Sequence, residues 1–314
     1  MFQKDLQGGG SVVAADCSNM APALYVADSY YIVPKITEAG YIDRILEICA
    51  REKINGLFSL IDPELSLLAL NAERFSGIGA TVVGSSHEIC ERCLDKWEMY
   101  LWLRERRYDC AKTYISLDLF DEALSRNEIA FPVIAKPVRG SASMAVEKVF
   151  DRKRLGEIFA AGGAKFLVQQ FMDGEDMDAD AYIDLVSGEV VSIFTKRKLL
   201  MRAGEADKAI SFRDEKLFGL LRKFIAESGF RGVIDIDVFK VGGKYYISEV
   251  NPRFGGVYPH AYECGLDFTG FMIENLSGRA NAGTAFHYES GVAMMKYPEI
   301  MMKKTAREDP GELF

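Results

Sequence analysis

Histidine and tryptophan are scarce in this chain, with three and two residues among 314. The histidines are His87, His260 and His287, too far apart in sequence to announce a histidine metal cluster. Six cysteines (Cys17, Cys49, Cys90, Cys93, Cys110, Cys264) are too sparse for a disulfide scaffold. Cys90 and Cys93 form a C-x-x-C with no second pair, and helical periodicity around them predicts buried free thiols. Positive charge is also short: the net charge of −8 speaks against a nucleic-acid backbone as partner. No apolar run reaches membrane-spanning length and no charged-then-apolar leader is visible, so no membrane partner is expected and a cytoplasmic location is the default. There is no G-x-S-x-G and no supported Cys/His pair, so no covalent nucleophile is expected. Neither a Walker A loop nor a G-x-G-x-x-G turn is present.

What remains is an ordinary globular composition, 49% apolar and 27% charged, in a chain long enough for two or three domains with ample core. Residues 11–33 alternate short apolar strands (SVVAAD, YYIVP) with loops. A helix over YIDRILEICAREKI, a strand in GLFSLID, a helix opened by Pro63 and a strand in ATVVGSS follow. Strands alternating with helices predict a small parallel α/β domain over residues 1–90. Its front, MFQKDLQGGGS, reads as a helix end joined to a loop, so the domain's first strand is expected to be missing. Residues 86–107 read as one helix. Beyond it, strands and helices mix as two α+β lobes, 91–165 and 166–314, the second carrying a C-terminal extension.

The stretch GVIDIDVFKVGGKYYISEVNPRFGG, Gly232 to Gly256, carries the most information. It reads as an antiparallel hairpin: strand Val233–Lys240, turn Val241–Gly243, strand Lys244–Val250. Alternation puts Asp235 with Asp237 on one face, and Glu249 with Asn251 on one face of the returning strand. Paired in register, Asp237, Glu249 and Asn251 make a hard-oxygen cluster suited to Mg²⁺. Arg253 follows and can neutralise charge on a phosphoryl group.

This hairpin, with ordered companions upstream, resembles the ATP-grasp superfamily, and within it the carbamoyl phosphate synthetase and biotin carboxylase branch of carboxylate–amine ligases. Glu249, Asn251 and Arg253 match the family's E-x-N-x-R, and Asp237 its earlier acidic ligand. Lys96 matches the family's D-K at a helix start, and Lys136 its lysine at a strand end. The small-residue loop Gly140, Ser141, Ala142 and Ser143 follows Lys136. In FLVQQFMDGEDMDADAYID, Gln169, Gln170, Phe171 and Met172 fall where the family holds adenine, and Glu175 and Asp176 where it holds ribose. Gln169 stands where many relatives carry glutamate. The charged run KRKLLMRAGEADKAISF flanks the triphosphate in the family, and its Arg202 lies near a position that contacts nucleotide or intermediate.

The resemblance implies two α+β lobes clamping ATP, with two Mg²⁺ ions for which Mn²⁺ can substitute. It also implies activation of a small-molecule carboxylate as an acylphosphate for capture by an amine. A carbamoyl-phosphate-synthetase-like half-enzyme acting on bicarbonate or carbamate, and a non-catalytic nucleotide-binding module, stay open as alternatives. So does a homodimer. Tyr258, His260 and Glu263, just after the motif, are expected on the acceptor side.

Overall fold

The computed structural model describes residues 1–140, 145–161, 165–283 and 287–302. Near the N-terminus β1 (Val13–Asp16) and β2 (Ser29–Ile32) pair in parallel, and β3 (Gly56–Leu57) and β4 (Thr81–Val82) form a second parallel ladder. The single parallel sheet that the sequence predicts is thus two short ladders among the described residues. Just past β3 the Ser59 hydroxyl accepts from the Ile61 N–H at 2.9 Å, a local side-chain turn that follows the end of the strand. Helix Tyr41–Glu52 lays Tyr41, Ile45, Ile48 and Cys49 against Leu68, Phe75 and Ala80 in a separate small core.

Next come β5 (Thr113–Tyr114), β6 (Val133–Pro137), β7 (Glu147–Val149) and β8 (Phe166–Gln170), an antiparallel sheet of order β5-β8-β6-β7. Helices Leu117–Ser125 and Arg152–Ala160 close its core through Phe120, Ala123 and Leu155. The largest sheet holds β9 (Glu175–Ile183), β10 (Val190–Arg202), β11 (Glu205–Phe212), β12 (Gly232–Val241), β13 (Lys244–Asn251) and β14 (Ala293–Met295). It is antiparallel throughout, in the order β13-β12-β9-β10-β11-β14. Helices Glu215–Ser228 and Phe268–Leu276 cover it, burying Leu217, Phe218, Leu221, Phe224, Phe268 and Met272.

Three local outcomes differ from the sequence reading. Residues 86–107 are two helices, His87–Leu94 and Lys96–Glu105. Asp95 leaves helical geometry between them (φ −99°, ψ 104°), accepts from the N–H groups of Trp97 and Glu98, and forms a β-bridge with Arg139. The hairpin turn is two residues, not three, because Val241 pairs with Lys244 while Gly242 and Gly243 take positive φ (57° and 79°). The returning strand also carries a bulge. Val238 pairs with Ile247 but Asp237 pairs with Glu249, so Ser248 has no opposite number.

Cys90 and Cys93 are buried free thiols, as expected. Burial pushes the Cys90 thiol up to about 12. No helix among the described residues is long and apolar enough to cross a membrane.

Candidate active site

The hairpin sorts its side chains cleanly. Ile234, Ile236 and Val238 of β12 enter the main core, while Asp235 and Asp237 line a cavity of about 570 Å³. On β13 the bulge switches the alternation. Tyr245, Ile247 and Val250 stay in the core, and Glu249 and Asn251 turn to the cavity, opposite Asp237 and Asp235. The Asn251 side chain donates to Asp235 Oδ2 at 3.3 Å. Asp237, Glu249 and Asn251 therefore stand together, with Asp235 beside them.

Both lysines point at this cluster. Lys136 is the next-to-last residue of β6 with only 6% of its surface exposed, and Lys96 is the first residue of its helix because Asp95 caps it. Glu249 lies between them, 3.7 Å from Lys96 Nζ and 3.9 Å from Lys136 Nζ. These distances are beyond hydrogen bonding but within ion-pair range, so Glu249 is a charge neighbour of both lysines. Burial pulls Lys136 below the usual lysine range, the Glu249 charge opposes this, and the Lys96 charge adds to it. A buried and a half-buried ammonium group flanking one carboxylate suit a phosphate anion. Lys96 also donates to the carbonyl of Gly140. Ser141, Ala142 and Ser143 lie outside the described residues.

Beneath the cavity runs a ladder of alternating charge. Lys198 on β10 bonds Asp237 and lies 3.1 Å from Asp176. Lys196, fully buried, bonds Asp180 and lies 3.4 Å from Asp178. Burial would depress Lys198, but Asp237, Asp178 and Asp176 outweigh it and hold the ammonium well above its ordinary value. Burial raises Asp237 to about 6, opposed by Lys198 and reinforced by Asp178 and Glu249. Asp235 is pushed far up, first by burial and then by Asp178.

Arg253 lines the same cavity, held from an unexpected direction. Its Nε and Nη2 donate to Asp62 Oδ1 and Oδ2 at 2.8 and 3.3 Å, and its Nη1 to the Phe254 carbonyl at 2.9 Å. Asp62 opens helix Asp62–Leu70 in the N-terminal region, so the fork–fork pair joins that region to the site loop. The rings of Phe2, Phe58 and Phe254 pack beside it, with centroids 5.2 Å (Phe2–Phe58) and 5.8 Å (Phe58–Phe254) apart.

Other residues singled out in the sequence stand apart from the cavity. Arg202 turns outward, 72% exposed, with Asp207 at 3.9 Å as its ion partner, while its neighbours Met201 and Ala203, themselves exposed, lie at the cavity. Gln169 donates to Thr113 Oγ1 at 3.1 Å, and Gln170 accepts from the Lys112 N–H at 3.4 Å. Phe171 lies under Lys148, whose Nζ is 3.4 Å from the ring centre, and Met172 is buried. Glu175 pairs with Arg197 at 2.7 Å. None of these six lines the cavity, and Asp176 reaches it only through Lys198.

The acceptor-side expectations fail. Tyr258 is buried and bonds the Leu266 carbonyl and the Phe268 N–H, and Glu263 is exposed. His260 packs edge-on to Phe194 with Nε2 on the Val292 carbonyl, and burial lowers its basicity. All three belong to the helix after the glycines, which buries Tyr258 and His260 and leaves Glu263 exposed.

A family model described as "ATP-grasp domain" matches residues 93–257, more than half the chain. The chain belongs to the ATP-grasp family. A second model, "PylC-like, N-terminal domain", matches residues 1–83. The arginine-specific carbamoyl phosphate synthase large chain of Bacillus subtilis (strain 168) is 24% identical over 248 residues, covering 74% of this ATP-grasp chain and 23% of that protein. The corresponding Geobacillus stearothermophilus protein is 21% identical, covering 91% and 28%. The chain thus spans about a quarter of the length of these curated relatives. Among solved structures, the biotin carboxylase domain of Hydrogenobacter thermophilus 2-oxoglutarate carboxylase, with MgADP, ADP and bicarbonate, aligns with TM-score 0.72 at 16% identity, covering 91% of this chain and 68% of that one. Staphylococcus aureus N5-carboxyaminoimidazole synthetase complexed with ADP aligns with TM-score 0.73 at 15% identity, covering 90% and 75%. At these identities the likeness shows the fold.

The cavity of this ATP-grasp chain fits a magnesium nucleotide in its donor chemistry. Asp237, Glu249 and Asn251 offer hard oxygens, and Lys96 and Lys136 line the same cavity as donors suited to phosphate oxygens. Sequence reasoning passed over Asp62, Asp178 and Asp235 as site residues. Two had a signal: D-x-D-x-D over Asp176–Asp180 and D-x-D over Asp235–Asp237 put their carboxylates on one strand face. Asp62 had none, since its partner is far away in sequence.

Proposed function

We propose that this chain is an ATP-dependent ligase that activates a small-molecule carboxylate for capture by an amine. The observation that carries it is the convergence of Lys96, Lys136, Asp237, Glu249, Asn251 and Arg253 on one cavity, with Glu249 between the two lysines. Asp237, Glu249 and Asn251 would hold Mg²⁺, two ions replaceable by Mn²⁺, and the metal would supply charge neutralisation on the phosphates. Lys96 and Lys136 bind phosphate oxygens.

A substrate carboxylate oxygen attacks the γ-phosphorus, the bond to the β–γ bridging oxygen breaks, and ADP leaves. The acylphosphate's carbonyl carbon then takes an amine, which loses a proton as phosphate departs. Arg253, fixed by Asp62, neutralises the phosphoryl and carboxylate oxygens in both steps. The protein's contribution is positioning and charge, which accords with the absence of any supported nucleophile. The domain division 1–90, 91–165 and 166–314 belongs to the same reading.

A second reading, phosphorylation of bicarbonate or carbamate, draws support from the names of the curated relatives. ADP release in Mg·ATP, screened over amino acids, dipeptides, simple carboxylic acids and bicarbonate, separates the two. Bound ATP with no substrate-stimulated ADP release anywhere in the screen would favour a nucleotide-binding module instead.

A further inference from the structure

The cavity has two ends of different chemistry. Around Lys96, Lys136, Asp237 and Glu249 it is lined by charge, as phosphates and magnesium require. Around Arg253 it is lined by aliphatic side chains that the fold leaves uncovered. Leu60, Ile61 and Met201 line the cavity and are 60%, 49% and 44% exposed. Ala206 and Val257 line it as well and are buried.

Two distant segments bring these residues to Arg253. Leu60 and Ile61 directly precede Asp62, whose carboxylate holds the Arg253 guanidinium. Met201 and Ala206 are a cross-strand pair near the tip of the β10–β11 hairpin, whose two-residue turn is Ala203 and Gly204 at φ 50° and 83°. That tip rests on the glycine loop after Arg253: a Cβ on Gly256 would lie 2.8 Å from Glu205 Cδ, so a side chain there would push the tip away. Exposed aliphatic side chains are ordinary when scattered singly over a surface. Three of them converging on a cavity beside one arginine make the composition of a ligand site, an apolar wall with a placed charge.

We propose that the substrate carboxylate carries an aliphatic group, its carboxylate on Arg253 and its hydrocarbon against Leu60, Ile61 and Met201. This rests on the ligase reading and narrows its substrate. Such a group covers apolar surface that otherwise meets water, a gain of roughly fourfold in affinity for each fully buried methylene. A second carboxylate at the substrate's far end would be driven against the same side chains without a partner. Bicarbonate has nothing to place there.

The test follows ADP release by the full chain in Mg·ATP and hydroxylamine, whose nitrogen attacks the acylphosphate carbonyl carbon, loses a proton and releases phosphate to leave a hydroxamate. The probes are acetate, butyrate and hexanoate, their α-amino counterparts, adipate and α-aminoadipate as dicarboxylates of the longest length, and bicarbonate. In at least one of the two series kcat/KM should rise about two- to fourfold per methylene, with the dicarboxylates and bicarbonate near background. Leu60→Ser and Met201→Ser, both at exposed positions, should each lower the value for the longest acid of that series roughly fivefold and for the shortest by less than about twofold. Calorimetric ATP affinity should stay at the parent's level in both. Leu70→Ser, exposed at the far end of helix Asp62–Leu70 and outside the cavity lining, should change none of these values.

The proposal is overturned if kcat/KM is flat or falls along both series, if a dicarboxylate or bicarbonate matches the longest acid, or if no acid stimulates a chain that binds ATP. It is also overturned if Leu60→Ser and Met201→Ser both keep the parent's dependence on chain length, if they lose ATP affinity instead, or if Leu70→Ser loses as much. A parent dimer in light scattering that either variant breaks would overturn it too, since a second copy would then cover the apolar wall. The wild-type series decides even if a variant fails to fold. Failure of the chain to bind ATP would sink the ligase reading itself, a result distinct from ATP binding without dependence on chain length.

Discussion

Removing Asp62 tests whether the N-terminal region sets the position of Arg253. Asp62→Ala deletes both acceptors of the fork–fork pair, at 2.8 and 3.3 Å, between side chains that are 10% and 17% exposed. Breaking a buried charge pair by removing one partner costs about 3–5 kcal/mol. Arg253 keeps its bond to the Phe254 carbonyl and some access to water, which places the loss near the lower end. For a chain of this size about 3 kcal/mol lowers Tm by on the order of 5 °C. The freed guanidinium also regains rotamers worth about 1–2 kcal/mol, and fixing it again at the transition state slows turnover by roughly tenfold. Calorimetric ATP affinity, Tm and substrate-dependent ADP release measured on one preparation separate the effects. A variant that melts earlier but turns over normally would mean that Asp62 only staples the regions together. One that melts and turns over like the parent would refute the pair's role altogether.

Lys136→Ala should weaken Mg·ATP binding by about 1.5–3 kcal/mol, read by calorimetry, and unchanged affinity in the folded variant would remove Lys136 from the phosphate site. Glu249→Gln should abolish turnover with the fold intact, since a carboxamide is a poor Mg²⁺ ligand; wild-type rates across a Mg²⁺ titration would contradict this. Arg253→Lys should lose turnover on the order of a hundredfold at nearly constant ATP affinity, and a defect wholly in affinity would count against its role in the chemical step. Burial alone would raise the carboxyl of Asp184, but Asn275, the Ser187 N–H and Asn281 outweigh it and hold it well below its ordinary value of 3.8. Its stabilisation is therefore present above pH ~4 and lost as pH falls further; urea melts of Asp184→Asn should show a shallower acid decline than the parent, and parallel declines would discount it.

Much of this fold could be read locally. Hydrophobic alternation in β12 and the Gly242–Gly243 turn announce the hairpin, and the run around Lys136 announces β6. Strand alternation alone put Asp237, Glu249 and Asn251 on shared faces, whereas Lys96 and Lys136 stood out only through the resemblance to ATP-grasp motifs. What escaped depends on contacts between distant segments. The break at Asp95 is stabilised by a bridge to Arg139, and β14 is extended only because β11 pairs with it. The outward turn of Arg202 follows from strand phase at the end of β10, where register shifts between Lys198, Leu200 and Met201 spoil any count from sequence.

The unpaired Ser248 makes chain length part of the site. With a two-residue turn, an unbroken ladder would set Ser248 opposite Asp237, turn Glu249 and Asn251 toward the core and expose Val250, an exchange that burial forbids. The surplus residue absorbs that misfit. Deleting Ser248 would remove the surplus and leave Glu249 facing Asp237 in a regular ladder. Inserting a residue beside Ser248 would instead restore even alternation while carrying Glu249 one pleat along, opposite Asp235. Every acidic side chain would survive such an insertion, and the magnesium ligands would no longer meet. Within this hairpin, therefore, adding a residue is more dangerous to function than losing one.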